Sequence, residues 1–101
     1  MKICLKDFYA KSKESFIYKI VSLEVNEKSN IIDINLKLIA GWDYITEEKN
    51  IQGYVPSDRF TEDIQTLTLR QNILTEGVFE ALREYDFTII DDINKLPKIY
   101  D

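Results

Sequence analysis

The residues with chemical reach in this chain are carboxylates, lysines, tyrosines and a single thiol; there is no histidine. Histidine titrates nearest neutral pH and is the commonest metal ligand. Its absence removes Ser-His-Asp and Cys-His nucleophilic sites, imidazole general bases and Cys2His2 zinc centres. Glu47-x-Lys49, with Asp33 or Asp43 upstream, has the outline of a metal-dependent nuclease site, in which two acids hold Mg2+ and a lysine assists the attacking water. That outline arises readily by chance among 18 acids and 13 basic residues. Moreover, Glu47-Glu48-Lys49-Asn50 reads as a hairpin tip, whereas such chemistry needs groups fixed on a rigid element. Asp91-Asp92 is a second acidic pair, but neighbours on a strand point to opposite faces, so it reads as a charged strand end. Cys4 cannot form an internal disulfide or a multi-thiolate zinc site. In Lys2-Ile3-Cys4-Leu5 it reads as a small buried residue of an N-terminal strand, in a chain suited to a reducing compartment. The expectation is a chain without catalytic residues, metal or cofactor.

Two other groups are suited to binding. Trp42, Tyr44, Tyr54 and Phe60 cluster along one stretch. On strands such rings fill a core, anchor a protein partner or stack on bases. Base stacking normally accompanies a basic groove, which Asp43, Glu47, Glu48 and Asp58 oppose. The second group is an acidic ridge, Glu76, Glu80 and Glu84, spaced four residues apart. Like charges at that helical spacing each cost roughly 0.2–0.5 kcal/mol, relieved in part by Arg83 and, for Glu76, by the helix N-terminus. With Asp86, Asp91 and Asp92, residues 76–92 carry six acids against one Arg, a field that fits a Lys/Arg-lined partner or simply keeps the face solvated.

These residues need elements to hold them. From Ile31 to Ala40, Ile32, Ile34, Leu36, Leu38 and Ala40 alternate with polar residues, the pattern of a half-buried strand. Upstream, Phe16 to Asn26 is rich in β-branched and aromatic residues. Pairing Val25 with Ile32, Leu23 with Ile34 and Val21 with Leu36 puts all six on one face and closes the four-residue loop Glu27–Asn30. The same register sets Glu24 beside Asp33, a mild like-charge penalty. Gly41 marks a bulge or bend, followed by a second hairpin of residues 42–45 and 51–55, which Pro56-Ser57-Asp58 ends. Ile64 to Arg70 fits both periods but reads better as a strand, because Thr66 and Thr68 flank Leu67. A helix follows from Glu76 to Tyr85, with Thr75 as cap, Leu74 stapled to Phe79, and a buried stripe of Val78, Leu82 and Tyr85 flanked by Phe79 and Ala81. Residues 87–90 read as a last short strand, with a loosely held tail from about residue 94, broken at Pro97.

The sum is one α+β domain over residues 1–101. It is mainly an antiparallel sheet of about five to six strands, two consecutive hairpins among them, packed against one C-terminal amphipathic helix. No apolar run is long enough for a signal peptide or a membrane span, so a cytoplasmic location, in a bacterial or host-cell cytosol, is expected. Net charge is −5 and uneven: residues 1–28 hold six Lys against four acids, and residues 29–101 hold seven basic against fourteen acidic side chains. An acidic surface repels phosphate backbones and favours a basic protein partner over direct nucleic-acid binding. Fifteen Ile and ten Lys against three Ala and three Arg suggest an AT-rich genome. The leading expectation is therefore a non-catalytic protein-binding module. Glu76, Glu80, Glu84, Asp86, Trp42, Tyr44 and Tyr54 are its candidate contacts. Phage-encoded inhibitors of host nucleic-acid enzymes, anti-CRISPR proteins among them, share this generic profile of small, acidic chains without an evident active site. The alternatives are a phage or cell structural component that self-associates through a sheet edge, and a carboxylate-metal hydrolase.

Overall fold

A computed structural model describes residues 1–46, 51–72 and 77–100. Two long strands organise it. Strands β3 (Phe16–Asn26) and β4 (Ile31–Thr46) form an antiparallel hairpin, closed by the predicted loop at Glu27–Asn30. The Asn26 side-chain oxygen accepts the backbone N–H groups of Lys28 and Ser29 at 3.1 and 3.4 Å, and Asn30 takes the left-handed conformation that this residue type tolerates.

Each outer edge of this hairpin is covered by two shorter antiparallel strands laid end to end. Along β3 run β1 (Lys2–Cys4) and β2 (Tyr9–Lys11); along β4 run β5 (Ile51–Pro56) and β6 (Thr66–Asn72). Strand β7 (Thr88–Ile90) pairs with β2, and the described helix is α1 (Val78–Glu84). The chain is thus mostly antiparallel sheet with one helix among the described residues, roughly α+β. Both predicted hairpins are present, and 66–72 is a strand. The strand inventory differs in two ways: residues 31–46 form one continuous strand, and the N-terminal region supplies two short ones.

The main core lies on one face of the sheet, where Tyr18, Ile20, Leu23, Ile32, Ile34, Leu36 and Leu38 are joined by Ala81, Leu82 and Phe87. Burying each large aliphatic side chain contributes about 1.5–3 kcal/mol. A smaller cluster on the opposite face unites Tyr9, Ile17, Ala40 and Tyr54 with Leu96 and Ile99. The C-terminal stretch reaches it: Ile99 bridges to Tyr54, and the Tyr100 N–H donates to the Tyr54 carbonyl at 2.8 Å.

Two β-bulges correct the predicted register. Val21 is the extra residue on β3, so Ile20 rather than Val21 faces Leu36, and Val21 is left 40% exposed. Ile39 is the extra residue on β4, between the pairs Tyr18–Leu38 and Ile17–Ala40. It transfers Ala40 from the main core to the opposite face. The bulge is therefore at Ile39, not at Gly41, which lies in regular ladder opposite Phe16 and Val55. Gly41 is required for another reason: a Cβ there would lie 2.6 Å from the Phe60 ring and 2.7 Å from the Phe16 ring.

Three further expectations change. Cys4 is on a strand but exposed, because β1 is a three-residue edge strand whose residues are all exposed. The helix is shorter than predicted, starting after Gly77 without a side-chain cap; the proposed Thr75 cap and Leu74 staple lie outside the described residues. Tyr85 sits past the last helical turn and is exposed. Asp86 then reverses the chain through a positive φ, and Phe87 fills the buried place instead, edge-to-face with Tyr18.

Residues 57–65, the excursion between β5 and β6, are tied down on the core side. The Gln65 side-chain amide donates to the carbonyls of Ser57 (2.7 Å) and Phe60 (3.1 Å), and the Tyr18 hydroxyl donates to the Ile64 carbonyl at 3.0 Å. Burial, with Glu14 and Asp63 nearby, raises the Tyr18 pKa above the usual phenol value, so this hydroxyl stays protonated and donating.

Candidate binding surface

Cross-strand partners in an antiparallel sheet share a face, so the register converts the face opposite the main core into rows. At one end stands Lys2–Glu24–Asp33–Arg70; next comes Cys4–Ser22–Asn35–Thr68, then Tyr9–Lys19–Lys37–Thr66. Beyond the Ile39 bulge the face continues with Ile17–Ala40, then Trp42–Tyr54 and Tyr44–Gln52.

The first two rows carry bonds between their own side chains. Arg70 grips Asp33 through two hydrogen bonds, at 2.8 and 3.3 Å. This contact, above all the hydrogen bond, holds the Asp33 carboxyl below the usual carboxylate range against the opposing effect of burial. The predicted Glu24–Asp33 proximity is real, but Arg70, donated by β6, offsets it. In the next row the Asn35 side chain donates to Ser22 (3.2 Å) and accepts from Thr68 (2.9 Å), a closed polar ladder.

The far end is different. Trp42 and Tyr54 rings meet edge-to-face at 5.1 Å, and the Trp42 indole N–H donates to the Gln52 side-chain oxygen at 3.1 Å. Tyr54 is buried, yet Trp42 is 47% and Tyr44 45% exposed. Arg59 donates to the Tyr44 carbonyl at 3.4 Å. Two large rings thus stand in solvent on a ladder whose backbone and side-chain bonds fix their directions. Asp43, between them in sequence, alternates to the other side, and its carboxylate accepts the Tyr44 N–H at 2.8 Å.

The structure therefore places Trp42, Tyr44 and Tyr54 on one face, with Tyr54 as the buried support of Trp42. Phe60 is not part of this surface: it packs edge-to-face on Phe16 at 5.3 Å, against the main core. The acidic ridge lies elsewhere, on a helix whose buried side joins the main core. Glu80, Glu84 and Asp86 are exposed, Glu80 stands 3.9 Å from Arg83, and Glu76 lies outside the described residues. Asp91 pairs with Lys95 at 3.8 Å, and Asp92 caps the following turn by accepting the Asn94 N–H at 2.9 Å. Of the nuclease-like outline, Asp33 is bound to Arg70 and Asp43 to its own strand, while Glu47 and Lys49 lie outside the described residues. Among the described residues no group of three or more Cys, Asp or Glu side chains is arranged to hold a metal ion. No described helix is long and apolar enough to cross a membrane.

Comparison with protein-family models, with curated proteins and with solved structures finds no significant match. Function is therefore argued from the surface itself.

Proposed function

We propose that this chain is a non-catalytic binding module that seats a protein partner on the aromatic end of its sheet, with Trp42 and Tyr44 as anchors. One observation carries the reading: two large rings, roughly half exposed, stand on one face of a cross-strand ladder, and Trp42 is further oriented by Tyr54 and by its indole hydrogen bond. Rigid aromatic anchors lose little conformational freedom on binding, and Trp and Tyr dominate interface hot spots. The acidic ridge is the accessory contact, where Glu80, Glu84 and Asp86 meet a basic stretch of the partner. Small size and a net charge of −5 support the further reading of an inhibitor that occludes a host nucleic-acid-handling enzyme, in the manner of anti-CRISPR proteins, within a cytosol.

The test is affinity capture with quantitative mass spectrometry, comparing the native chain with Trp42→Ala/Tyr44→Ala and with Glu80→Lys/Glu84→Lys. The reading expects one stoichiometric protein, absent with the aromatic variant and reduced with the charge-reversed one. Equal recovery by all three chains would remove both contacts.

A second reading has its own observation. Strand β6 pairs with β4 on one side, and among the described residues no strand covers the other edge of residues 66–71, which leaves that edge available for self-association. Light scattering at high concentration decides it: a monomer discards this version, and a stable oligomer disrupted by changes in β6 establishes it.

A further inference from the structure

The face described above carries two like-charge pairs directly across β3 and β4, and they are treated oppositely. Glu24 and Asp33 are flanked in register by Lys2 and Arg70, and Asp33 is gripped by Arg70. Lys19 and Lys37 are flanked by Tyr9 and Thr66, and among the described residues no carboxylate comes within salt-bridge reach of either ammonium. Like charges directly opposite are destabilising, so this row is strained as it stands.

The surroundings of the lysine row are built in a particular way. The flanking strands break on either side of this row: between β1 and β2 beside Ile20 and Val21, and between β6 and β5 beside Leu38 and Ile39. The Val21 and Ile39 bulges lie on either side of this row. The result is an open groove across the sheet, lined by Cys4, Lys19, Val21, Lys37, Ile39 and Ser57. The Val21 bulge makes the pair: without it, the predicted register would continue to set Lys19 against Leu38.

We propose that this groove is an anion site for a phosphate monoester, borne by a small molecule or by a phosphorylated side chain. Two ammonium groups match the roughly −2 charge of a phosphomonoester; Ser57 in the groove lining and Thr66, opposite Lys37 in register, are hydroxyl-bearing neighbours that can add donors. A single group fits better than a polyanion. The positive row is one strand-step deep, the Lys2–Glu24–Asp33–Arg70 row is neutral, and the net charge of −5 opposes a long phosphate backbone. This site does not depend on the aromatic contact proposed above.

The experiment uses the full chain at constant ionic strength, with chloride replaced stepwise by inorganic phosphate, glycerol phosphate or a phosphoserine peptide, beside its unphosphorylated twin. Amide NMR shifts and the thermal midpoint are read together, with alkylation of the exposed Cys4 thiol as a third readout. Saturable shifts at residues 19–22 and 37–39, a raised midpoint and slower Cys4 alkylation are expected, with affinity lowered about tenfold in Lys19→Gln or Lys37→Gln. Lys37→Glu should melt higher than the native chain in phosphate-free buffer, because attraction to Lys19 replaces repulsion, and should lose the phosphate response. The tighter of the small phosphates and the phosphopeptide identifies the source. No saturable shift with any of them, or an undiminished response in both Gln variants, overturns the site.

Discussion

The two ends of one sheet face, built on the same pair of strands, are finished in opposite ways. At the β1/β6 end the two outermost rows carry bonds between their own polar side chains, Arg70 on Asp33 and Thr68 on Asn35 on Ser22. At the β5 end the ladder runs in register from Ala40 to Tyr44, but Trp42 and Tyr44 stand in solvent. A surface that only has to stay soluble satisfies its own groups, and exposed apolar area on a rigid support marks a place where something else completes the contact. Exposure alone does not distinguish the two ends; the fate of each side chain's polar and apolar atoms does.

The contrast can be broken most forcefully at Tyr54, which supports the aromatic end from within. Tyr54→Ala should lose about 3–5 kcal/mol of stability in denaturant unfolding, as for other buried aromatics, while Thr68→Ala at the polar end stays within about 1 kcal/mol. Equal losses would mean that the aromatic end has no buried support. Trp42→Ala sharpens the comparison: partner affinity should fall by about 2 kcal/mol or more by calorimetry, with a stability change below about 1 kcal/mol. Gly41→Ala probes the opposite side of the same strand, where a Cβ meets the Phe16 and Phe60 rings. A loss of about 1–3 kcal/mol is expected, and a neutral result would show that the rings yield.

The smallest effect is at the polar end. Arg70 lowers the Asp33 pKa from its ordinary value of 3.8, so the stability it contributes is present above that value and is lost as pH falls through the folded-state pKa. The difference in thermal midpoint between the native chain and Arg70→Gln should be small and constant near neutral pH, and should shrink below about pH 4. A difference that grows on acidification contradicts the assignment.

Much of this architecture is legible in the sequence. Alternation in residues 31–38, the four-residue loop and the Val25–Ile32 and Leu23–Ile34 pairs follow directly from hydrophobic period and turn chemistry. The bulges do not show in hydrophobic pairing along one uninterrupted register, although their signal is present as a change of parity. Polar Lys19 and polar Ser22 and Glu24 can share a face only if one residue between them is extra. The Lys19–Lys37 pair, a consequence of that extra residue, was therefore invisible. Cys4 and Tyr85 were placed inside because an apolar residue in a periodic pattern reads as core. Their exposure reflects where an element ends, and boundaries are weakly encoded. The aromatic grouping was found from spacing alone, but its division into a buried support and two exposed anchors needed the cross-strand geometry.

The decisive measurement is oxidative footprinting of the chain alone and in complex with its captured partner. Protection of Trp42 and Tyr44, with unchanged labelling of Cys4 and Tyr85, is the predicted outcome. Full reactivity of Trp42 and Tyr44 in the saturated complex would contradict the proposed binding surface.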